Sequence, residues 1–232
     1  MNDSLKPLSL KTDRPVDSLT IEILKTIDPV LRELACPYML VGATARDLLL
    51  FHVYGNQPLR ATVDVDFAIE VESWEKFSVV LHSILRSGLF KPFDRVPHRL
   101  FFGSNHPAGV PVDIIPFGGV AIRDKEIRWP RDLDTVINVA GFEDALAAAV
   151  SVSVADDLII PVVSLPGLAL LKLIAWTDRK VDKDATDLLR VMKVYADAGN
   201  EDRLYGSSIL ERFGFDMELG APTPRSRCCG SL

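Results

Sequence analysis

Asp64 and Asp66 stand two residues apart in the segment TVDVDFAIEV, residues 62–71. In a strand, side chains alternate between faces, so both carboxylates project from one face while Val63, Val65 and Phe67 project from the other. Carboxylates this close repel each other unless a cation lies between them. A hard divalent ion such as Mg²⁺ takes oxygen ligands, and a carboxylate pair can share two such ions about 3.5–4 Å apart, an arrangement suited to phosphoryl chemistry. Asp113 is a single acid in the apolar run VPVDIIPF. A buried carboxylate is costly unless it is paired or binds metal. If its strand lies beside residues 62–71, Asp113 becomes a third ligand and can take the proton of an attacking hydroxyl. Plainer readings exist: an acidic sheet edge for the pair, and a turn-satisfied strand end for Asp113. The apolar flanks of Asp64 and Asp66 favour a central strand.

A second feature is LVGATARD, residues 40–47, where an apolar run stops at Gly42 and helical character follows. Such a turn leaves backbone N–H groups free at a positive helix end, which suits phosphate. Ala43 and Thr44 are small enough to let a phosphate chain approach the backbone, and Arg46 lies in the first turn. Many strand–Gly–helix turns bind nothing, so this segment gains weight only beside the acids. Lys172 sits in an otherwise apolar helical run. It either reaches the phosphates or snorkels at a helix edge. Lys183, Asp184 and Asp187 have the spacing of a solvated, ion-paired helix face.

The elements that must position these groups follow from periodicity. Ile21, Leu24, Ile27, Leu31 and Leu34 predict a helix from Ser18 to about Cys36, capped by Asp17 or Ser18, with Pro29 as a place to kink. YMLVG (38–42) is a strand, TARDLLLFHVY (44–54) a helix, GNQPLR (55–60) a loop and 62–71 a strand. Residues 73–88 form a helix with a Ser cap and a closing Gly88. HRLFFG (98–103) and VPVDIIPFG (110–118) form a hairpin around residues 104–109. A polar stretch runs to about Asp134, a short helix is expected at 142–149, and short strands flank the ADD turn at 155–157. Two helices follow Pro166, and a third is expected at 201–212. The resulting fold class is mixed α+β. A small mixed β-sheet with flanking helices spans 17–164, and a mainly helical lobe spans 165–213. Residues 1–16 and 214–232 read as flexible tails.

Composition narrows the function classes. The 232 residues are 48% hydrophobic and 25% charged, with a formal charge of −6, which describes an ordinary globular protein and disfavours a globally basic nucleic-acid binder. Three cysteines without metal spacing point to a reducing, cytoplasmic setting. The first residues lack a secretory apolar region, and no apolar run reaches the ~18–20 residues of a membrane span. Cys229 is fourth from the end, but Gly and Ser between it and the final Leu are not the aliphatic pair of a prenylation box. The four His form no zinc pattern, and neither a Walker loop nor a Gly-x-Ser-x-Gly elbow occurs.

LVGATARDLLL, RATVDVDFAI and the later VDIIPF strand together resemble the active site of the DNA polymerase β-like nucleotidyltransferases. Arg60-x-Thr-x-Asp-x-Asp and KLIAWTDRKVDKDATDL bring the resemblance closest to the AbiEii-type abortive-infection nucleotidyltransferases, which include toxins. It covers about residues 20–195. The departure is Ala43, where that family prefers Gly or Ser. The resemblance implies a nucleotidyltransferase-fold catalytic domain over 17–164. It implies metal binding and catalysis by Asp64, Asp66 and Asp113, and triphosphate contact by Gly42, Ala43, Thr44, Lys172 and, as a weaker match, Arg46. It implies two Mg²⁺ ions, a nucleoside triphosphate substrate, an RNA or protein acceptor and a cognate antitoxin; the apolar pattern already noted leads us to expect no membrane partner. A small-molecule acceptor of the aminoglycoside type and a catalytically silent binding module stay open.

Overall fold

The strand carrying Asp66 lies deep inside the main sheet. The computed structural model describes residues 6–57, 64–93, 96–103, 109–122, 125–130 and 132–204. Ten strands occur among them: β1 (Leu8–Ser9), β2 (Tyr38–Val41), β3 (Val65–Val71), β4 (Phe90–Pro92), β5 (Arg99–Phe102), β6 (Val110–Gly118), β7 (Glu126–Trp129), β8 (Asp132–Asn138), β9 (Val150–Ala155) and β10 (Leu158–Val162). Eight of them form one mixed sheet in the order β1-β9-β10-β2-β3-β6-β5-β4, and β7 pairs with β8 in a separate ladder. β3 is antiparallel to β2 and parallel to β6. Phe67, Ala68 and Ile69 on β3, Leu40 on β2 and Ile114 on β6 are fully buried, as expected of strands covered on both faces. The acidic pair is therefore not an edge device.

Helix α1 (Ser18–Glu33) begins at the Asp17 cap, whose side chain accepts from the Thr20 backbone N–H. It passes through Pro29 without restarting. Pro29 and Lys25 both lie on the exposed face, so the carbonyl left without its helical donor faces water, where the loss is small. Helix α2 (Gly42–Asp47) continues directly into a π-helical turn, Leu48–Val53, which buries three consecutive leucines, Leu48 to Leu50. Helix α3 (Trp74–Leu85) has the expected Ser73 cap. Helix α4 (Phe142–Ala147) falls within the segment expected at 142–149. Helices α5 (Leu165–Arg179) and α6 (Asp182–Val194) form an antiparallel pair after the Ser164 cap. A kinked stretch, Ala196–Asn200, with Gly199 at φ +72°, leads into α7 (Glu201–Leu204).

Several expectations need correction. Leu8 and Ser9, in the segment read as a loose lead-in, pair parallel with β9, and the Lys11 N–H donates to the His52 carbonyl. The polar stretch before Asp134 contains the β7–β8 ladder. Buried Ile127 and Trp129 alternate with exposed Arg128 there, a period-two signal only four residues long. Strand β4 was also unread. β5 and β6 do pair antiparallel, while the turn at 104–108, Arg60 and residues 205–232, including Cys228 and Cys229, lie outside the described residues. No helix among the described residues is long and apolar enough to cross a membrane.

Candidate active site

Three neighbouring strands set the register of the acids. Val41 at the end of β2 pairs with Asp66, and Asp66 pairs with Asp113 across the parallel β3–β6 ladder. Paired residues in adjacent strands project on one face, so the two carboxylates lie side by side. Gly42 follows Val41 with φ +72°, and a Cβ built on it would fall 1.9 Å from Asp66 Oδ2. Only glycine lets this backbone pass so close to the carboxylate. The Thr44 hydroxyl donates to the Asp64 carbonyl oxygen, tying the start of β3 to the first turn of α2.

Asp64, Asp66 and Asp113 line one cavity of about 720 Å³ together with Gly42, Ala43 and Lys172. Burial, then the charges of Asp113 and Asp64, push the Asp66 carboxyl up to about 7, while Lys172 and Lys183 oppose the rise. The cause is an excess of negative charge in a desolvated place. Asp113 is not a free ligand. Arg99, opposite it on β5, donates from Nε to Oδ1 and from Nη2 to Oδ2, both at 2.7 Å. Among the described residues no three Asp, Glu, His or Cys side chains are arranged to hold a metal ion. The expected three-acid metal cluster is thus present as a set facing one cavity but is not drawn together. Mutual repulsion and the Arg99 pairing are the physical reasons. The donor set, all carboxylate oxygen and short of positive charge, fits a hard divalent cation in kind.

The remaining expected residues divide. Thr44 and Arg46 do not line the cavity. Arg46 is 1% exposed; its Nη1 donates to Asp187 Oδ1 at 2.5 Å and its Nε to Asp47 Oδ1 at 2.8 Å. Lys172 lines the cavity, but its ammonium lies 3.2 Å from Asp184 Oδ1 and 2.9 Å from Asp187 Oδ2. Arg179 Nη2 reaches Asp184 Oδ2 at 2.7 Å. Asp184 and Asp187 are buried, which corrects their reading as a solvated face. Lys183, from the same run, is exposed, lines the cavity and has no ion pair among the described residues.

Two cavity residues escaped the sequence reading. Arg99 would be found only by counting register through the hairpin to Asp113. His98 precedes it, packs 5.2 Å from the Trp129 ring, and carries a buried Nδ1 with no partner among the described residues. Burial and, secondarily, Arg99 lower its pKa against the opposing charge of Asp113, which favours the neutral ring. Ile137, Phe142, Leu168 and Leu171 add apolar lining to the cavity.

A family model described as "Nucleotidyl transferase AbiEii toxin, Type IV TA system" matches residues 29–226. Among solved structures, an antigenic nucleotidyltransferase-like protein from Paracoccidioides brasiliensis is 17% identical, with a TM-score of 0.50 and 78% of each chain covered. That similarity supports the fold. The lincomycin-bound lincosamide antibiotic adenylyltransferase LnuA is 17% identical, with a TM-score of 0.42 over 75% of this chain and 98% of that one. ANT(2")-Ia in complex with adenylyl-2"-tobramycin is 11% identical, with a TM-score of 0.43 over 81% and 99%. No curated protein matches the chain.

Proposed function

The chain belongs to the AbiEii nucleotidyl transferase toxin family and is a nucleotidyltransferase, and we propose that it moves a nucleoside monophosphate from a nucleoside triphosphate to an acceptor hydroxyl, releasing pyrophosphate. One observation carries the reading: three carboxylates face a single cavity beside a glycine turn that no other residue could make. Asp64, Asp66 and Asp113 are the residues that would hold two Mg²⁺ ions. Bound there, such ions neutralise phosphate charge, polarise the α-phosphorus and lower the acceptor's pKa. Gly42 and Ala43 offer backbone to the triphosphate, and the methyl of Ala43 leaves the backbone N–H in place. Thr44 acts through the Asp64 carbonyl, and Arg46 anchors α2 from behind. Lys183, without a carboxylate partner among the described residues, is better placed than Lys172 to take the outer phosphates. Lys172 holds Asp184 and Asp187 and so keeps α5 and α6 at the cavity wall. Asp113 is the candidate to accept the acceptor's proton.

In this reading the acceptor is an RNA 3′ end or a protein hydroxyl, the setting is cytoplasmic, and a cognate antitoxin is the regulatory partner. The test is incubation with each labelled triphosphate, Mg²⁺ and a pool of total RNA and lysate protein. Wild type labels an acceptor and Asp66→Ala does not; equal labelling by both contradicts the reading. A silent nucleotide-binding module is the second reading, favoured by the pairing of Asp113 with Arg99. Tight calorimetric binding of Mg²⁺–triphosphate without any pyrophosphate release would select it.

A further inference from the structure

We propose that Arg99 is a triphosphate-binding residue that, before nucleotide arrives, is parked on the carboxylate that must receive the cation. This rests on the nucleotidyl-transfer reading and adds a residue to it.

Both oxygens of Asp113 are engaged by the fork of Arg99, at 2.7 Å each. The carboxylate side chain is 11% exposed and the arginine 32%. Asp113 is therefore enclosed enough that losing all positive charge is costly. Arg99 is open enough that the pair's net strength is modest and its release is not. Asp113 can exchange its cation but cannot go without one.

The other cations at the cavity differ in this respect. Lys172 and Arg179 hold Asp184 and Asp187, which are 1% and 0% exposed. Asp184 and Asp187 stay paired in any state of the cavity, so these cations are committed to carboxylates that do not face the incoming ion as Asp113 does. Lys183 has no ion pair to give up among the described residues. Among the described residues, Arg99 is the cation whose release is coupled to the arrival of another positive charge at Asp113. A divalent ion entering with a polyphosphate supplies that charge, and the phosphate oxygens accept the same planar pair of donors. The ion alone must push the guanidinium into water; the ion with polyphosphate hands it a new partner. Metal and polyphosphate binding are then cooperative, and Arg99 is the link.

Calorimetry on the full chain tests this with two probes, Mn²⁺ alone and tripolyphosphate in excess Mg²⁺. Arg99→Met is expected to bind Mn²⁺ alone about tenfold more tightly than wild type, and tripolyphosphate about tenfold more weakly, the scale of one hydrogen bond to a charged group. Arg99→Lys, which keeps charge but not the fork, also tightens Mn²⁺ and keeps part of the polyphosphate affinity. If Arg99→Met fails to fold, the Lys variant decides on the same two constants. Unchanged or weaker Mn²⁺ binding, or unchanged tripolyphosphate binding, in the folded variants overturns the role of Arg99. A wild type that binds neither probe overturns the nucleotidyl-transfer reading as well.

Discussion

Two charged regions of the molecule are built on opposite principles. Among the described residues, the cations Arg46, Lys172 and Arg179 meet the carboxylates Asp47, Asp184 and Asp187. At β3 and β6, the carboxylates Asp64, Asp66 and Asp113 share one arginine, Arg99. In the first set every carboxylate has a cation partner, and Arg46, Lys172, Asp184 and Asp187 are buried. Among the described residues the second carries more acid than base, and burial, then the charges of Asp113 and Asp64, push the Asp66 carboxyl up to about 7. Balanced buried charge can hold elements in place; unbalanced charge lining a cavity marks the place that expects a ligand. The difference separates frame from reacting centre among residues that look alike in sequence.

The comparison can be broken most severely at Asp187. Asp187→Ala leaves Arg46 and Lys172 buried with a carboxylate missing and is expected to cost about 3–5 kcal/mol in chemical unfolding. A cost near zero would deny the frame. Asp66→Asn does the reverse: it is expected to keep the fold and lower nucleotidyl transfer by at least about 10²–10³-fold, the scale of losing a preorganised electrostatic contact. Gly42→Ala strikes the join between the regions. Its new methyl meets Asp66 Oδ2 at a backbone φ of +72°, so it should cost about 1–3 kcal/mol and abolish transfer together. A further effect is the pH dependence of the metal-free protein. Raised from 3.8 to about 7, the Asp66 carboxyl contributes stability that is present below 3.8 and lost as pH rises through about 7. Melting curves across that range should fall more steeply for wild type than for Asp66→Asn.

The reacting centre was more legible in sequence than the frame. Period-two alternation places Asp64 and Asp66 on one face without any knowledge of the fold, and Asp113 stands out because it interrupts an apolar strand. Gly42 is marked by the stop of an apolar run. The frame is invisible because its pairs are distant: Arg46 and Asp187 are 141 positions apart. In a helix, Lys183 and Asp187 have the i,i+4 spacing of a surface ion pair, and only the packing of α5 on α6 reveals that Asp184 and Asp187 are inside. Arg99 was missed for a related reason, since cross-strand register depends on the hairpin turn. The same limit hid β4 and β7, strands too short for a period to show.

The central claim is that the β3–β6 carboxylates lack a cation that the rest of the molecule does not need. Thermal unfolding above the Asp66 carboxyl's pKa, with and without Mg²⁺, tests it most directly. Wild type should melt higher with Mg²⁺, whereas Asp66→Asn should melt above metal-free wild type and gain much less from the ion. A wild type indifferent to Mg²⁺, or an Asp66→Asn variant less stable than metal-free wild type, would contradict the account.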